Sequence, residues 1–164
     1  VIVTTATIEH LSAQIAAGAE AVQLFDSWAG ALAEHEFRQW VMAPTKRIAA
    51  ELRARHPSIP LIGFPRGAGG LLSDYAHETG VTAVGLDTQV PLGWVLKNLP
   101  GTLPVQGNLD PVALVTGGRA LREGIRTILD QAKGRPLIFN LGHGVPQTTP
   151  PEHVAELVRL VRAG

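Results

Sequence analysis

The chain has 164 residues, with 14 Lys and Arg balanced by 14 Asp and Glu and no cysteine. Hydrophobic residues make up 45% and charged residues 17%, which excludes a disordered segment and suits one domain with a buried core. The missing cysteines exclude a disulfide scaffold, a thiolate zinc site, an iron–sulfur cluster and a catalytic thiol. The balanced charge argues against a mainly electrostatic nucleic-acid binder, yet leaves room for a local basic pocket facing an acidic small molecule.

Val1-Ile2-Val3-Thr4 carries neither a basic region nor a cleavage pattern, so it does not read as a secretory signal. No apolar run reaches about 18 residues, so no transmembrane helix is expected. A soluble cytoplasmic protein is the expectation. The absence of an initiating methionine hints at a processed or truncated chain.

In chain order, Ile8, Leu11 and Ile15 mark one face of a helix that stops near Gly18. Ala21–Phe25 reads as a buried strand ending in Asp26-Ser27. Leu32–Trp40 and Ile48–Leu52 predict a helical pair interrupted near Pro44. Leu61–Phe64 is a second strand, left through Pro65-Arg66-Gly67, and Leu71 to Ala76 a short helix ending at Gly80. Ala83–Leu86 is a third strand, ending at Asp87. A helix over Pro91–Leu96 and a fourth strand over Leu103–Gln106 follow. Asp110-Pro111 combines an N-cap with proline at the first helical position. The helix it opens must negotiate Gly117-Gly118 before resuming through Leu121, Ile125, Ile128 and Leu129. Leu137–Asn140 is a fifth strand. Thr149-Pro150-Pro151-Glu152 has capping-box spacing before Val154, Leu157, Val158 and Val161.

The strands are continuously apolar, as expected of parallel strands covered on both faces. Alternation with helices predicts a parallel α/β structure over residues 1–164. An open doubly wound sheet and a (β/α)₈ barrel both fit. A complete barrel takes about 250 residues, more than this chain supplies.

In either architecture ligands sit at the C-terminal ends of the strands, where Asp26-Ser27-Trp28, Arg66, Asp87, Gln106-Gly107-Asn108 and Gly142-His143-Gly144 fall. Polar groups clustered at one rim would line a shared pocket. His143 is the leading candidate, because flanking glycines allow a sharp turn and imidazole can donate a hydrogen bond or move a proton near neutrality. The bland alternative is a loop histidine satisfied by local backbone. Ser27 could bind a carboxylate or cap the helix beyond Trp28. It lacks the G-x-S-x-G context of a nucleophile. Arg66, in a Gly-rich turn without the Walker lysine, could pair with an anionic substrate or be a solvated surface residue. Asp26 and Asp87 are acid–base candidates or loop caps. His10, His35, His56, His77 and His153 lack a metal-ligand spacing and read as surface residues. Trp28, Trp40 and Trp94 read as packing groups, although Trp28 sits beside the proposed rim.

Four segments together resemble the uroporphyrinogen decarboxylase family. They are Gln23–Gly30, Gly63–Gly69, Gln106–Pro111 and Phe139–Val145, and they agree with the family in order and approximate spacing. The resemblance covers essentially the whole chain and only the C-terminal half of a family member. It implies that the chain is the C-terminal portion of a TIM (β/α)₈ barrel, about five parallel strands alternating with helices in a single partial domain. It further implies a cytoplasmic homodimer without cofactor or metal, acting on uroporphyrinogen III. The reaction it implies removes the carboxyl groups of the four acetate side chains to give coproporphyrinogen. By resemblance, Ser27 matches a serine binding a substrate carboxylate, His143 a histidine at the barrel mouth and Phe25 an apolar pocket position, with Arg66 a basic position in the Gly-rich loop. The family's N-terminal arginine-rich motif, pyrrole-binding aspartate and pocket tyrosine belong upstream of Val1. The isolated chain is therefore expected to be inactive. Two other readings fit the sequence. One is a non-catalytic half barrel that binds tetrapyrrole or self-associates to hide its edges. The other is a related barrel methyltransferase, whose zinc site usually contains the cysteine missing here.

Overall fold

The computed structural model describes residues 2–164, and the chain divides into two compact units, Val1–Val84 and Gly85–Gly164. Five strands alternate with helices, giving the α/β fold that the sequence predicts.

In the first unit, α1 (Ile2–Ala16) buries Thr4, Ile8 and Leu11 and packs on α3 (Ala43–Arg55). Strands β1 (Val22–Asp26), β2 (Leu61–Pro65) and β3 (Ala83–Gly85) are parallel and lie in sequence order, with Leu24 opposite Gly63 and Gly63 opposite Val84. Sequential order without reversal is the pattern of a barrel wall, whereas a doubly wound sheet reverses at its switch point. A short helix α4 (Leu72–Glu78) covers β2. Its Tyr75 lies directly over Gly63, where any side chain would collide with the phenol.

The helical pair expected around Pro44 is instead one continuous helix. Helix α2 (Glu34–Phe37) runs through a π turn (Arg38–Met42) into α3, and Pro44 lies in the first turn of α3. Proline lacks an N–H and crowds the preceding turn. The widened turn relieves both, because the Ala43 N–H reaches back to the Arg38 carbonyl. Phe37, fully buried, meets Tyr75 edge-on at 6.4 Å. The Arg38 guanidinium links this helix to α4 through Asp74 and Glu78, and also meets Glu34.

In the second unit, β4 (Val105–Leu109) and β5 (Leu137–Leu141) are parallel, with Gln106 opposite Ile138 and Asn108 opposite Asn140. The fourth strand therefore begins and ends later than the sequence predicts, carrying Asn108 into the sheet. Leu109 packs beneath Gly124 of α7 (Gly118–Gln131), whose apolar stripe Leu121, Ile125 and Ile128 is buried. Gly117, at φ +67°, separates α7 from α6 (Pro111–Thr116) by a conformation that side-chain-bearing residues rarely adopt. Asp110 caps α6 as predicted, its carboxylate accepting from the Val112 N–H at 2.9 Å. Asp110→Ala is expected to lower the denaturation midpoint by an amount worth about 1 kcal/mol, measured by urea titration.

The capping box expected at Thr149 does not form. Pro150 holds the N-cap position of α8 (Pro151–Ala163), and the Thr149 hydroxyl is buried without a partner. Pro150 has no N–H to return a bond, and it displaces the helix start by one residue. Arg135, also buried, turns its guanidinium onto the carbonyls of Leu99, Pro100 and Leu103. Two of these follow the end of α5 (Leu92–Asn98), where carbonyls lack helical partners. Desolvation pushes the Arg135 pKa down from its ordinary value. Among the described residues no helix is long and apolar enough to cross a membrane.

Candidate functional site

The first unit brings three candidates together. β1 and β2 end side by side, with Asp26 opposite Pro65. The loops beyond them are tied by main-chain bonds from the Arg66 N–H to the Asp26 carbonyl at 3.0 Å and from the Gly30 N–H to the Arg66 carbonyl at 2.9 Å. Gly30 and Gly67 pack backbone to backbone, and a Cβ on Gly30 would strike the Gly67 carbonyl. On this frame Phe25, Ser27, Trp28 and Arg66 are all exposed. Phe25 is 72% exposed although it meets Phe64 edge-on at 6.0 Å, and Trp28 is 80% exposed. Trp28 is thus an aromatic face open to a ligand. Trp40, 63% exposed, also departs from the packing role that the sequence predicts.

Ser27 does not cap the following turn. Trp28 occupies that position, with no side-chain cap, while the Asp26 carboxylate accepts from the Trp28 N–H at 3.2 Å. Of the two roles open to Asp26, the loop-holding one is therefore the one formed. The Arg66 guanidinium makes no ion pair among the described residues, so an anion would not have to displace an internal carboxylate. Apolar rings beside a hydroxyl and a guanidinium can receive a flat heteroaromatic ring bearing carboxylates.

The second unit holds His143 differently from the sequence reading. Neither Gly142 nor Gly144 lies in the left-handed region. Gly142 is required for space, since a Cβ there would come within 2.5 Å of the Thr88 nitrogen. Its N–H bonds the Leu109 carbonyl at 2.8 Å. His143 follows, exposed. Nearby, Asp87 is buried and its carboxylate accepts from the Gln89 N–H at 2.8 Å, so it orders the loop after β3. Asn108 secures the same loop by donating both amide hydrogens, to the carbonyls of Asp87 and Val90, each at 2.8 Å. Carbonyl oxygens only accept, so the amide orientation is fixed. Asn140, exposed at the end of β5, is a polar group that sequence reasoning passed over as part of a strand. Its signal was an amide at a strand's C-terminal end.

Two histidines read as surface residues are half-buried instead. His56 follows the end of α3 with Nε2 buried and unpartnered, and Nδ1 of His153 is hydrogen-bonded with the Leu114 carbonyl at 2.9 Å. No three His, Asp or Glu side chains among the described residues are grouped to hold a metal ion.

The family model described as uroporphyrinogen decarboxylase (URO-D) matches residues 1–164. A protein named uroporphyrinogen decarboxylase from Granulibacter bethesdensis is 57% identical over 159 residues, covering 97% of this chain and 46% of the relative. One from Rhizorhabdus wittichii is also 57% identical, over 96% of this chain and 46% of its own length. The chain thus spans about half the length of these relatives. A solved methyltransferase from Methanosarcina mazei has the same fold, with a TM-score of 0.80 at 21% identity, over 98% of this chain and 47% of that one. Matched from end to end, the chain belongs to the uroporphyrinogen decarboxylase family and corresponds to its C-terminal half.

Proposed function

We propose that residues 1–164 are one partial barrel domain contributing the C-terminal part of a cytoplasmic, homodimeric uroporphyrinogen decarboxylase, with uroporphyrinogen III as substrate and no cofactor. The observation that carries this reading is that Ser27, Arg66 and His143 lie beyond strand C-terminal ends, exposed, with side chains that make no hydrogen bond or ion pair among the described residues. Their side chains are not needed to hold the loops and are available to a ligand.

In this reading Ser27 and Arg66 bind acetate carboxylates, and Phe25 and Trp28 lie against a pyrrole. His143 hydrogen-bonds the substrate and positions it. In each decarboxylation the bond between the acetate CH₂ and its carboxylate carbon breaks. The electron pair passes into a pyrrole protonated on its ring, CO₂ leaves, a proton delivered to the exocyclic carbon yields a methyl group, and loss of the ring proton restores the pyrrole, so that one proton is consumed for each CO₂ released. The substrate ring is its own electron sink, and the protein contributes orientation and charge stabilisation. The aspartate and arginines that the family resemblance assigns to proton and pyrrole handling would come from the other half.

The test joins this chain to the N-terminal half of the G. bethesdensis relative and follows uroporphyrinogen III by chromatography of the oxidised porphyrins. The fusion is expected to give the four-carboxyl product, and the isolated chain none. Ser27→Ala or Arg66→Ala should lower kcat/KM roughly 10- to 100-fold, the loss of one charge-assisted hydrogen bond. An inactive, folded fusion would overturn the assignment.

A further inference from the structure

β5 ends on an asparagine of which the fold uses only the oxygen. β4 and β5 pair in register, with Asn108 opposite Asn140 and Leu109 opposite Leu141. Leu109 packs beneath Gly124 of α7. Successive strand residues alternate between faces. Leu109 and Leu141 therefore share the α7 side, and Asn108 and Asn140 share the other. Ile138, two residues before Asn140 and 42% exposed, lies on that same face. The two asparagines are placed alike and employed differently. Asn108 donates both amide hydrogens, to the carbonyls of Asp87 and Val90. Asn140 is exposed, and its Oδ1 accepts from the Leu141 N–H at 2.8 Å.

An N–H needs an acceptor, so this bond fixes which end of the Asn140 amide is oxygen. Nδ2 is left as the outward end and makes no hydrogen bond among the described residues. Three residues on, His143 is likewise exposed, with no side-chain hydrogen bond among the described residues. Gly142, between them, is anchored by its N–H on the Leu109 carbonyl and packs too closely on Thr88 to admit a side chain. The strand end thus presents a donor of fixed direction, between the apolar Ile138 and the imidazole of His143, on main chain that is itself held.

We infer that Asn140 is a substrate-binding residue, donating from Nδ2 to a side-chain carboxylate of the tetrapyrrole. This assignment deepens the proposed decarboxylase reading and rests on it. The acceptor follows from the chemistry of the substrate. Pyrrole N–H groups only donate, and ring carbons do neither, so the carboxylate oxygens are the groups that can take an amide N–H. Such a bond is charge-assisted and stronger than one between neutral partners. The carboxylate is either an acetate that leaves or one of those that the reaction keeps, and a choice of ligands separates the two.

The fusion with the N-terminal half of the G. bethesdensis relative is titrated with uroporphyrin III and with coproporphyrin III by porphyrin fluorescence. It is also assayed with uroporphyrinogen III. Asn140→Asp keeps the shape of the side chain and the oxygen that accepts from Leu141, and it replaces the donor by a charged acceptor. Its Kd for uroporphyrin III should rise at least roughly 100-fold and its kcat/KM fall in step, whereas Asn140→Ala should raise Kd about 10-fold. The denaturation midpoint of the Asp variant should match the parent, because the residue is exposed. A purely structural Asn140 predicts the opposite order, with Ala impaired and Asp like the parent, since only Ala loses the Leu141 bond. That order overturns the inference, as does a Kd indifferent to both variants. A coproporphyrin Kd that rises by the same factor assigns the contact to a retained carboxylate, and one that stays fixed assigns it to an acetate. An inactive fusion whose uroporphyrin Kd still depends on Asn140 sinks the functional proposal and keeps the carboxylate contact. An active fusion indifferent to Asn140 sinks the contact alone.

Discussion

Gly107→Ala is expected to destabilise the chain by on the order of 3 kcal/mol. Gly107 sits inside β4 at φ +135°, and a Cβ would come within 2.7 Å of the Leu86 carbonyl oxygen and 3.3 Å of the Leu86 Cβ. The neighbour is main chain, itself bonded from the Leu86 N–H to the Gln106 carbonyl at 2.8 Å, so it cannot swing aside as a side chain would. The strained φ and the collision add. Gly93→Ala is the control. Gly93 lies exposed in α5 with nothing within 4 Å of an added Cβ, and alanine there should stabilise by up to about 1 kcal/mol. Urea denaturation followed by circular dichroism reads both. A Gly107→Ala midpoint equal to that of the parent chain would refute the packing argument.

Tyr75 should ionise about two pH units later in the folded chain than in the unfolded one. It is 2% exposed beneath β2, and desolvation pushes its pKa up to about 12 from 10.0, with the charge of Asp26 adding slightly and a hydrogen bond with Thr45 opposing. The folded state therefore holds the phenolic proton more tightly than the unfolded state. The stability linked to it is fully present below pH 10 and is lost as pH rises from 10 through about 12, amounting to about 3 kcal/mol. Tyr75 is the chain's one tyrosine, so phenolate absorbance reports this group without overlap. The expected curve has its midpoint near 12, or breaks upward abruptly where unfolding releases the ring. A smooth midpoint near 10 in a chain still folded would show the phenol to be solvated. Tyr75→Phe should remove the alkaline loss of stability.

All five strands and most helices were legible in the sequence, because runs such as Leu61–Phe64 are apolar on both faces and helices such as α7 keep a stripe at Leu121, Ile125 and Ile128. Asp110 was legible as a cap because aspartate followed by proline satisfies the first turn by itself. Thr149 was not, because its spacing to Glu152 says nothing of which residue starts the helix, and Pro150 took that place. Pro44 misled because a π turn can absorb a proline that an α turn cannot. At the candidate site the residue types were readable but not their settings. Trp28 was expected to pack and is exposed, Ser27 does not cap, and His143 owes its place to the close approach of Gly142 to Thr88 rather than to a glycine-driven turn. Such settings depend on contacts between segments distant in sequence, which local pattern does not carry.

The loops that bear Ser27, Arg66 and His143 are held by main chain, through the Gly30–Gly67 contact, the Arg66–Asp26 bond and the seat of Gly142 on Thr88. This divides labour between scaffold and chemistry in a way that bears on evolvability. The presented side chains can be exchanged while the frame stays put and stability hardly changes. The converse also follows: in stability, exchange is cheap at the exposed side chains these loops present and barred at the glycines beneath them.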